Sequence, residues 1–218
     1  IDCMNEKDVF IIHPYLKSQG ITGIDKMIIS HSDNDHAGGS LWLRNNIAIE
    51  KLMANDKSLN PTISCVKGQG FNWQNLHFEV LWPLTINDGE SNDDSCVIQI
   101  SDGIHKVLLT GDISVKVERQ LISHYQLGSD VLIVPHHGSN TSSSAEFIQA
   151  VSPEYAVFSA GFMNRWKMPT AQVVNRYKSA GVNTLNTAQS GMISLRFNQE
   201  LIRVDEYKKH VYPFWFAN

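Results

Sequence analysis

Short apolar runs broken by polar turns set the rhythm of this chain. Lys26–Ser30 (KMIIS) reads as a short buried strand running straight into a polar cluster at His31. The next stretch, Asp35–Asn46, carries the Gly38-Gly39 pair and then Leu41, Trp42 and Leu43, a pattern that predicts a helix opening beside that cluster. Further strands are predicted over Thr62–Val66, His77–Trp82, Cys96–Ile100, Val107–Thr110 and Val131–Val134, each short and rich in β-branched or aromatic residues. Helical periodicity falls on Ser114–His124, Ser143–Val151 and Thr170–Ala180. Two final strands, Gly191–Phe197 and Leu201–Asp205, are joined by a turn at Asn198-Gln199. There is no internal repeat or low-complexity tract, and Asn87–Asp94 is the most polar stretch. A single α/β domain over 1–218 is the economical expectation.

Composition narrows the class. With 218 residues, 42% hydrophobic and 18% charged, the chain can bury one substantial core. No apolar run approaches the ~20 residues needed to span a bilayer. The opening Ile1-Asp2-Cys3 has neither a Met start nor a signal peptide, and is expected to be a cut inside a longer protein. Cys3, Cys65 and Cys96 are scattered without CxxC spacing, so plain, mostly buried thiols are expected rather than a disulfide framework. The net charge of −4 argues mildly against a polyanionic partner, but within 164–209 there are 8 Lys+Arg against 3 Asp+Glu.

The chemistry concentrates in Ser30-His31-Ser32-Asp33-Asn34-Asp35-His36-Ala37-Gly38-Gly39. Two imidazoles and two carboxylates within six residues have no use in an apolar core, where a charge must be paired or bound to a metal. Nitrogen and oxygen donors together suit divalent cations such as zinc or manganese.

This segment resembles the HxHxDH signature of the metallo-β-lactamase superfamily, with Asp33 in place of the second His. Followed by Gly-Gly, it is similar to the form found in the ComEC family of DNA-uptake proteins. Val107–Asp112 matches the family strand ending in Gly-Asp, and Val131–Ser139 (VLIVPHHGS) the His-His-Gly-Ser segment. Leu81-Trp82-Pro83 with Asn92–Ser95, Asn164-Arg165 with Pro169, and Gly191–Phe197 match in order, as do Pro14-Tyr15-Leu16 and Gly20-Ile21. Three departures stand out. Met168 replaces a His before Pro169, and the third-motif His is absent, leaving Asn92, Asp94 and Ser95. The first Asp-x-Gly turn survives only as Asp2-Cys3-Met4, without the strands expected before it.

The resemblance implies a metallo-β-lactamase fold, an αββα sandwich of two mixed sheets flanked by helices. It implies two divalent ions, manganese favoured and zinc possible, held by His31, Asp33, Asp35, His36, Asp112 and His137. Asp35, Asp112 and His136 would be catalytic, and Ser139, Asn140, Thr141, Asn164 and Arg165 would bind substrate. Other uses compete: Asp112 as a helix N-cap, Ser139–Thr141 as caps of the helix near Ser143, Asn164 and Arg165 as loop structure. Trp166, beside Arg165, is the best stacking candidate. His13, His77, His105, His124 and His210 are expected to be ordinary.

The implied function is metal-dependent DNA hydrolysis, degrading the non-transported strand during natural transformation. DNA and the membrane channel of the same parent would be the partners. The parent would lie in the cytoplasmic membrane, with this domain on the periplasmic or extracellular side. A small-molecule or phospholipid-head-group phosphodiesterase, and a degenerate DNA- or partner-binding domain, are the competing expectations.

Overall fold

The computed structural model describes residues 9–86, 91–199 and 201–211. The Asp2-Cys3-Met4 turn and residues 87–90 of the polar stretch lie outside the described residues. The chain divides into two compact units, the first made of residues 1–71, 78–98 and 110–113, the second of 72–77, 99–109 and 114–218.

In the first unit, helix α1 (Val9–Ser18) buries Val9 and Leu16. Strand β1 (Gly23–Ile28) pairs in parallel with β2 (Ala48–Ala54), Met27 opposite Leu52, after a crossover through α2 (Asn34–Ala37) and α3 (Ser40–Asn46). β2 continues in parallel to β3 (Ile63–Ser64). The core beneath is Val9, Met27, Ile29, Leu43, Ile47 and Leu52, with Trp42 packed against it. The predicted helix over Asp35–Asn46 is two short helices, because Gly38 ends α2 and Gly39 caps α3. Sequence reading missed β2: its buried residues are Leu52, Met53 and Ala54 at one end, so it never alternates.

Strands β4 (Gly70–Trp73) and β5 (Leu76–Trp82) form a hairpin. Gln74 and Asn75 between them both have positive φ, 46° and 66°, as a two-residue turn matched to strand twist requires. Phe71 and Phe78 stack with ring centroids 4.5 Å apart. Strand β6 (Val97–Ser101) carries the chain out of the first unit at Ile98.

The expectation of plain thiols fails for two of the three cysteines. Cys65, just after β3, is disulfide-bonded to Cys96, just before β6, with Cα atoms 5.9 Å apart, an ordinary disulfide separation. Both are buried. A pairing across 31 residues of sequence is set by tertiary neighbourhood, which spacing does not reveal. Cys3 lies outside the described residues.

The second unit is built on parallel strands β7 (Lys106–Leu109), β8 (Val131–Ile133), β9 (Tyr155–Phe158) and β10 (Asn183–Asn186), each hydrogen-bonded to the next. Parallel neighbours need crossover connections. Helices α4 (Val115–His124), α5 (Ala145–Val151) and α6 (Ala171–Ser179) supply them. α7 (Thr187–Ser190) follows β10, and β11 (Ile193–Phe197) and β12 (Ile202–Glu206) close as an antiparallel pair. Val131, Val157, Leu185 and Ile202 form the core between them. Sequence reading missed β9 and β10, since YAVF and NTLN are four residues each and the second is mostly polar.

The three crossover helices start where their caps dictate. Ser114, Ser144 and Thr170 accept from the N–H groups of Lys116, Phe147 and Val173. Neither Asp112 nor Ser139–Thr141 is therefore used as an N-cap of these helices. Among the described residues no helix is long and apolar enough to cross a membrane.

Candidate metal centre

The apolar strand β1 and the residue after it, Ile29, deliver Ser30 and His31 into the interior of the first unit. One turn of α2 later His36 returns to the same place, its ring centroid 4.2 Å from that of His31. The chain re-enters at Thr110–Ile113 and adds Asp112. His31, His36 and Asp112 are all buried, and one donor atom from each lies within 4.8 Å of the others. The His36 Nε2 to Asp112 Oδ1 distance is 3.1 Å. Two ligands on one ion with bonds of ~2.1 Å stand ~3.0–3.4 Å apart at tetrahedral or octahedral angles. The donor set fits a divalent ion: two imidazoles and a carboxylate with no apolar reason to be there.

The rings are oriented from behind. Ser30 Oγ lies 3.1 Å from Nδ1 of both His31 and His36. Its two lone pairs can accept both Nδ1–H groups at once, the tautomer that leaves both Nε2 lone pairs for a metal. Ser95 Oγ, 3.4 Å from His31 Nδ1, also accepts the Asp112 backbone N–H at 3.0 Å. The Cys96 N–H donates to Ser30 O at 2.8 Å, so the disulfide-anchored segment is tied to the segment that carries Ser30 and His31. Gly111 completes the seat. A Cβ there would stand 2.7 Å from Ser95 Cβ and 3.0 Å from Ser30 Cβ.

Ser30 was legible only as a residue in a motif, yet its contacts give it a role no less definite than a ligand's. Ser30→Ala is expected to weaken manganese or zinc binding about 10–100-fold in titration calorimetry, as loss of an outer-shell partner typically does. An unchanged Kd would remove Ser30 from the site.

Asp33 and Asp35 are exposed, and Asp33 Oδ2 is 3.5 Å from His31 Nε2. Of Asn92, Asp94 and Ser95, which stand where the family's third-motif His is absent, Ser95 is buried.

The second unit presents its histidines on a strained turn after β8. His136, His137 and Gly138 have consecutive φ values of 50°, 54° and 84°. Left-handed backbone at a non-glycine residue persists only where the surroundings enforce it. Here the Ser139 N–H donates to His136 O at 2.8 Å, and Gly138 O accepts the Thr170 N–H at 3.0 Å. Thr141 Oγ1 meets His136 Nδ1 at 3.1 Å. His137 Nδ1 is 2.8 Å from Ser159 O, just after β9; donating its Nδ1–H there leaves Nε2 as the lone-pair nitrogen.

Behind the turn, Glu118 accepts the backbone N–H groups of Ser143 and Ser144. Arg176 donates to Ser142 O and Ser143 O, and the Tyr177 hydroxyl to Ser143 Oγ. Burial pushes the Glu118 carboxyl above the ordinary carboxylate range, against the pull of those hydrogen bonds and of Arg176. These three side chains fix the segment that follows Ser139-Asn140-Thr141, and sequence reading gave none of them a role.

Of the expected substrate residues, Ser139 Oγ and Thr141 Oγ1 bond to each other at 3.0 Å, while Asn140 is exposed. The Asn164 amide closes its own loop, donating to Gly161 O and Met168 O and accepting the Met168 N–H. Arg165 is exposed with its guanidinium 4.2 Å over the Trp166 ring.

Comparison with known proteins gives the family. The profile of the metallo-beta-lactamase superfamily matches residues 3–161. Recombination protein 2 of Haemophilus influenzae is 39% identical over 94% of the chain, and Competence protein ComA of Neisseria gonorrhoeae 37% over 94%. ComE operon protein 3 of Bacillus subtilis is 29% identical over 88% of the chain. The chain spans only 26%, 30% and 27% of these relatives' lengths.

Among solved structures, a Parabacteroides distasonis protein superposes with a TM-score of 0.55 at 13% identity, covering 76% of this chain and 77% of that one. CmlA, a diiron beta-hydroxylase of Streptomyces venezuelae, gives 0.51 at 14% identity, covering 85% and 45%. At these identities the likeness speaks for the fold alone. The fold class expected from the motifs, mixed α/β with sheets flanked by helices, is the one found. From the buried His31–His36–Asp112 cluster, the match over 3–161 and the competence-protein relatives together, the chain belongs to the metallo-beta-lactamase superfamily.

Proposed function

We propose that the chain is a metal-dependent phosphodiesterase acting on DNA, degrading the strand that is not carried inward during DNA uptake. The observation that carries this reading is the buried triad His31, His36 and Asp112 with both imidazoles backed by Ser30. Divalent ions bound there would supply charge neutralisation on phosphate oxygens and activation of water. Manganese is favoured, because Asp33 in place of a His makes the donor set richer in oxygen.

The chain's own residues do the rest. Ser30 and Ser95 hold the ligand rings and the Asp112 backbone. Asp33, Asp35 and His137 are assigned as further ligands. As an imidazolium with its Nδ1–H held by Thr141 Oγ1, His136 can hand its Nε2 proton to a leaving oxygen and is left as neutral imidazole. The exposed Asn140 is assigned to a substrate phosphate. DNA as substrate is supported by relatives named for competence and recombination. Placement outside the cytoplasm is supported by the Cys65–Cys96 disulfide, since such bonds persist in oxidising compartments, and a larger parent by relatives of whose length the chain spans 26% and 30%.

The test compares single-stranded DNA with bis(p-nitrophenyl) phosphate at low and high salt. A DNA hydrolase is expected to turn over DNA faster at low salt and lose that advantage as salt rises. Preference for the small ester at every salt concentration would assign the site to small phosphodiesters.

A further inference from the structure

Three of the eight basic residues between 164 and 209 meet in one groove. In the second unit, the loop after β9, helix α6 and the turn after β12 (Tyr207–Val211) enclose a groove of about 660 Å³. Lys167, Lys178 and Lys208 line it, and no carboxylate among the described residues does. None of these three ammonium groups is ion-paired with a carboxylate among the described residues. Phe162 lines the same groove although 73% exposed, with Lys208 Nζ 5.1 Å over its ring. Trp166, next to Lys167 in the chain, is 56% exposed under Arg165. An exposed aromatic beside uncompensated cations has no folding rationale.

We infer that this groove is a binding track for single-stranded DNA, in which Lys167, Lys178 and Lys208 hold consecutive phosphates and Phe162 stacks a base. Cations along a channel with sequence-tolerant aromatic platforms are what an unpaired strand requires. A duplex, whose bases are already stacked on one another, gains nothing from Phe162. The groove also leads to the catalytic turn. Phe158 and Pro169 line it, and these are the side chains packed against Gly138, next to His137. This rests on the reading of the chain as a DNA hydrolase and adds the element that would guide one strand toward it.

The test is fluorescence anisotropy of labelled oligothymidylate in EDTA, where binding is read without cleavage. Reversing all three charges (K167E, K178E and K208E) is expected to weaken binding more than tenfold. The slope of log affinity against log salt should fall by about 2, at ~0.7 per phosphate contact. Phe162→Ala is expected to weaken binding about fivefold or more with the salt slope unchanged. Retained melting temperatures show that both variants fold. Wild-type affinity and slope in the charge-reversed chain, or no binding by the wild type, would overturn the groove assignment. So would variants that lose phosphatidylglycerol vesicles but keep DNA, because the groove would then belong to a membrane surface. Because binding is measured without metal, a chain that binds in this way yet hydrolyses nothing contradicts only the hydrolase reading.

Discussion

Asp112→Ala is expected to abolish phosphodiester hydrolysis and divalent-ion binding together, while leaving the apo protein folded. Asp112 is buried, 3.1 Å from His36 Nε2, and is the only carboxylate in the buried triad. Its backbone N–H bonds to Ser95 Oγ, a contact that survives the substitution. Removing the carboxylate therefore takes away a ligand without cutting the connection between Asp112 and Ser95. Outer-shell substitutions already cost metal sites about 10–100-fold. Loss of a buried ligand should exceed that, so activity should fall by more than about a hundredfold. Circular dichroism and the melting temperature of the metal-free protein check that the fold persists. Wild-type turnover in this variant would remove the triad from the chemistry.

Gly138→Ala is expected to be the most destabilising single-methyl change in the second unit. At φ +84° the backbone is left-handed, and an added Cβ would stand 2.6 Å from Pro169 Cβ and 2.8 Å from the Phe158 ring. Left-handed strain and overpacking each cost ~1–3 kcal/mol. The sum, about 2–6 kcal/mol, corresponds to a fall in Tm of roughly 4–24 °C for a domain of this size. Gly181→Ala is the control. It shares a positive φ of 78° but would meet nothing within 4 Å, so only the conformational cost of ~1–3 kcal/mol applies, without the overpacking. Equal melting temperatures for the two variants would show that the packing of Gly138 against Phe158 and Pro169 contributes nothing.

How far the sequence could be read depended on whether a residue's job is local. His31, His36 and Asp112 stood out because polar residues at the ends of apolar runs have no packing use, and the structure buries all three. Ser30 and Ser95 did not stand out, since serines are common everywhere. Only the folded distances show one hydroxyl backing two imidazoles and another tying Asp112 to His31. The Cys65–Cys96 pair was misread for the same reason: its partners are near in space and distant in sequence.

Asn164 could be read from sequence as loop structure or as a substrate contact; its amide holds together a loop whose backbone is left-handed at Met163 and Lys167. Strand edges were the weakest part of the fold reading. β2 concentrates its buried residues at one end, and β10 is too short and polar to show a period. The helices fared better because Ser114, Ser144 and Thr170 are caps, a signal that lies in the chain itself.

The central claim is that His31, His36 and Asp112 hold a divalent ion, and anomalous diffraction from manganese-soaked crystals tests it most directly. The account predicts a strong anomalous peak at ~2.0–2.3 Å from the Nε2 atoms of His31 and His36 and from an Asp112 carboxylate oxygen. Well-ordered crystals with manganese bound elsewhere and no peak among these three side chains would contradict it.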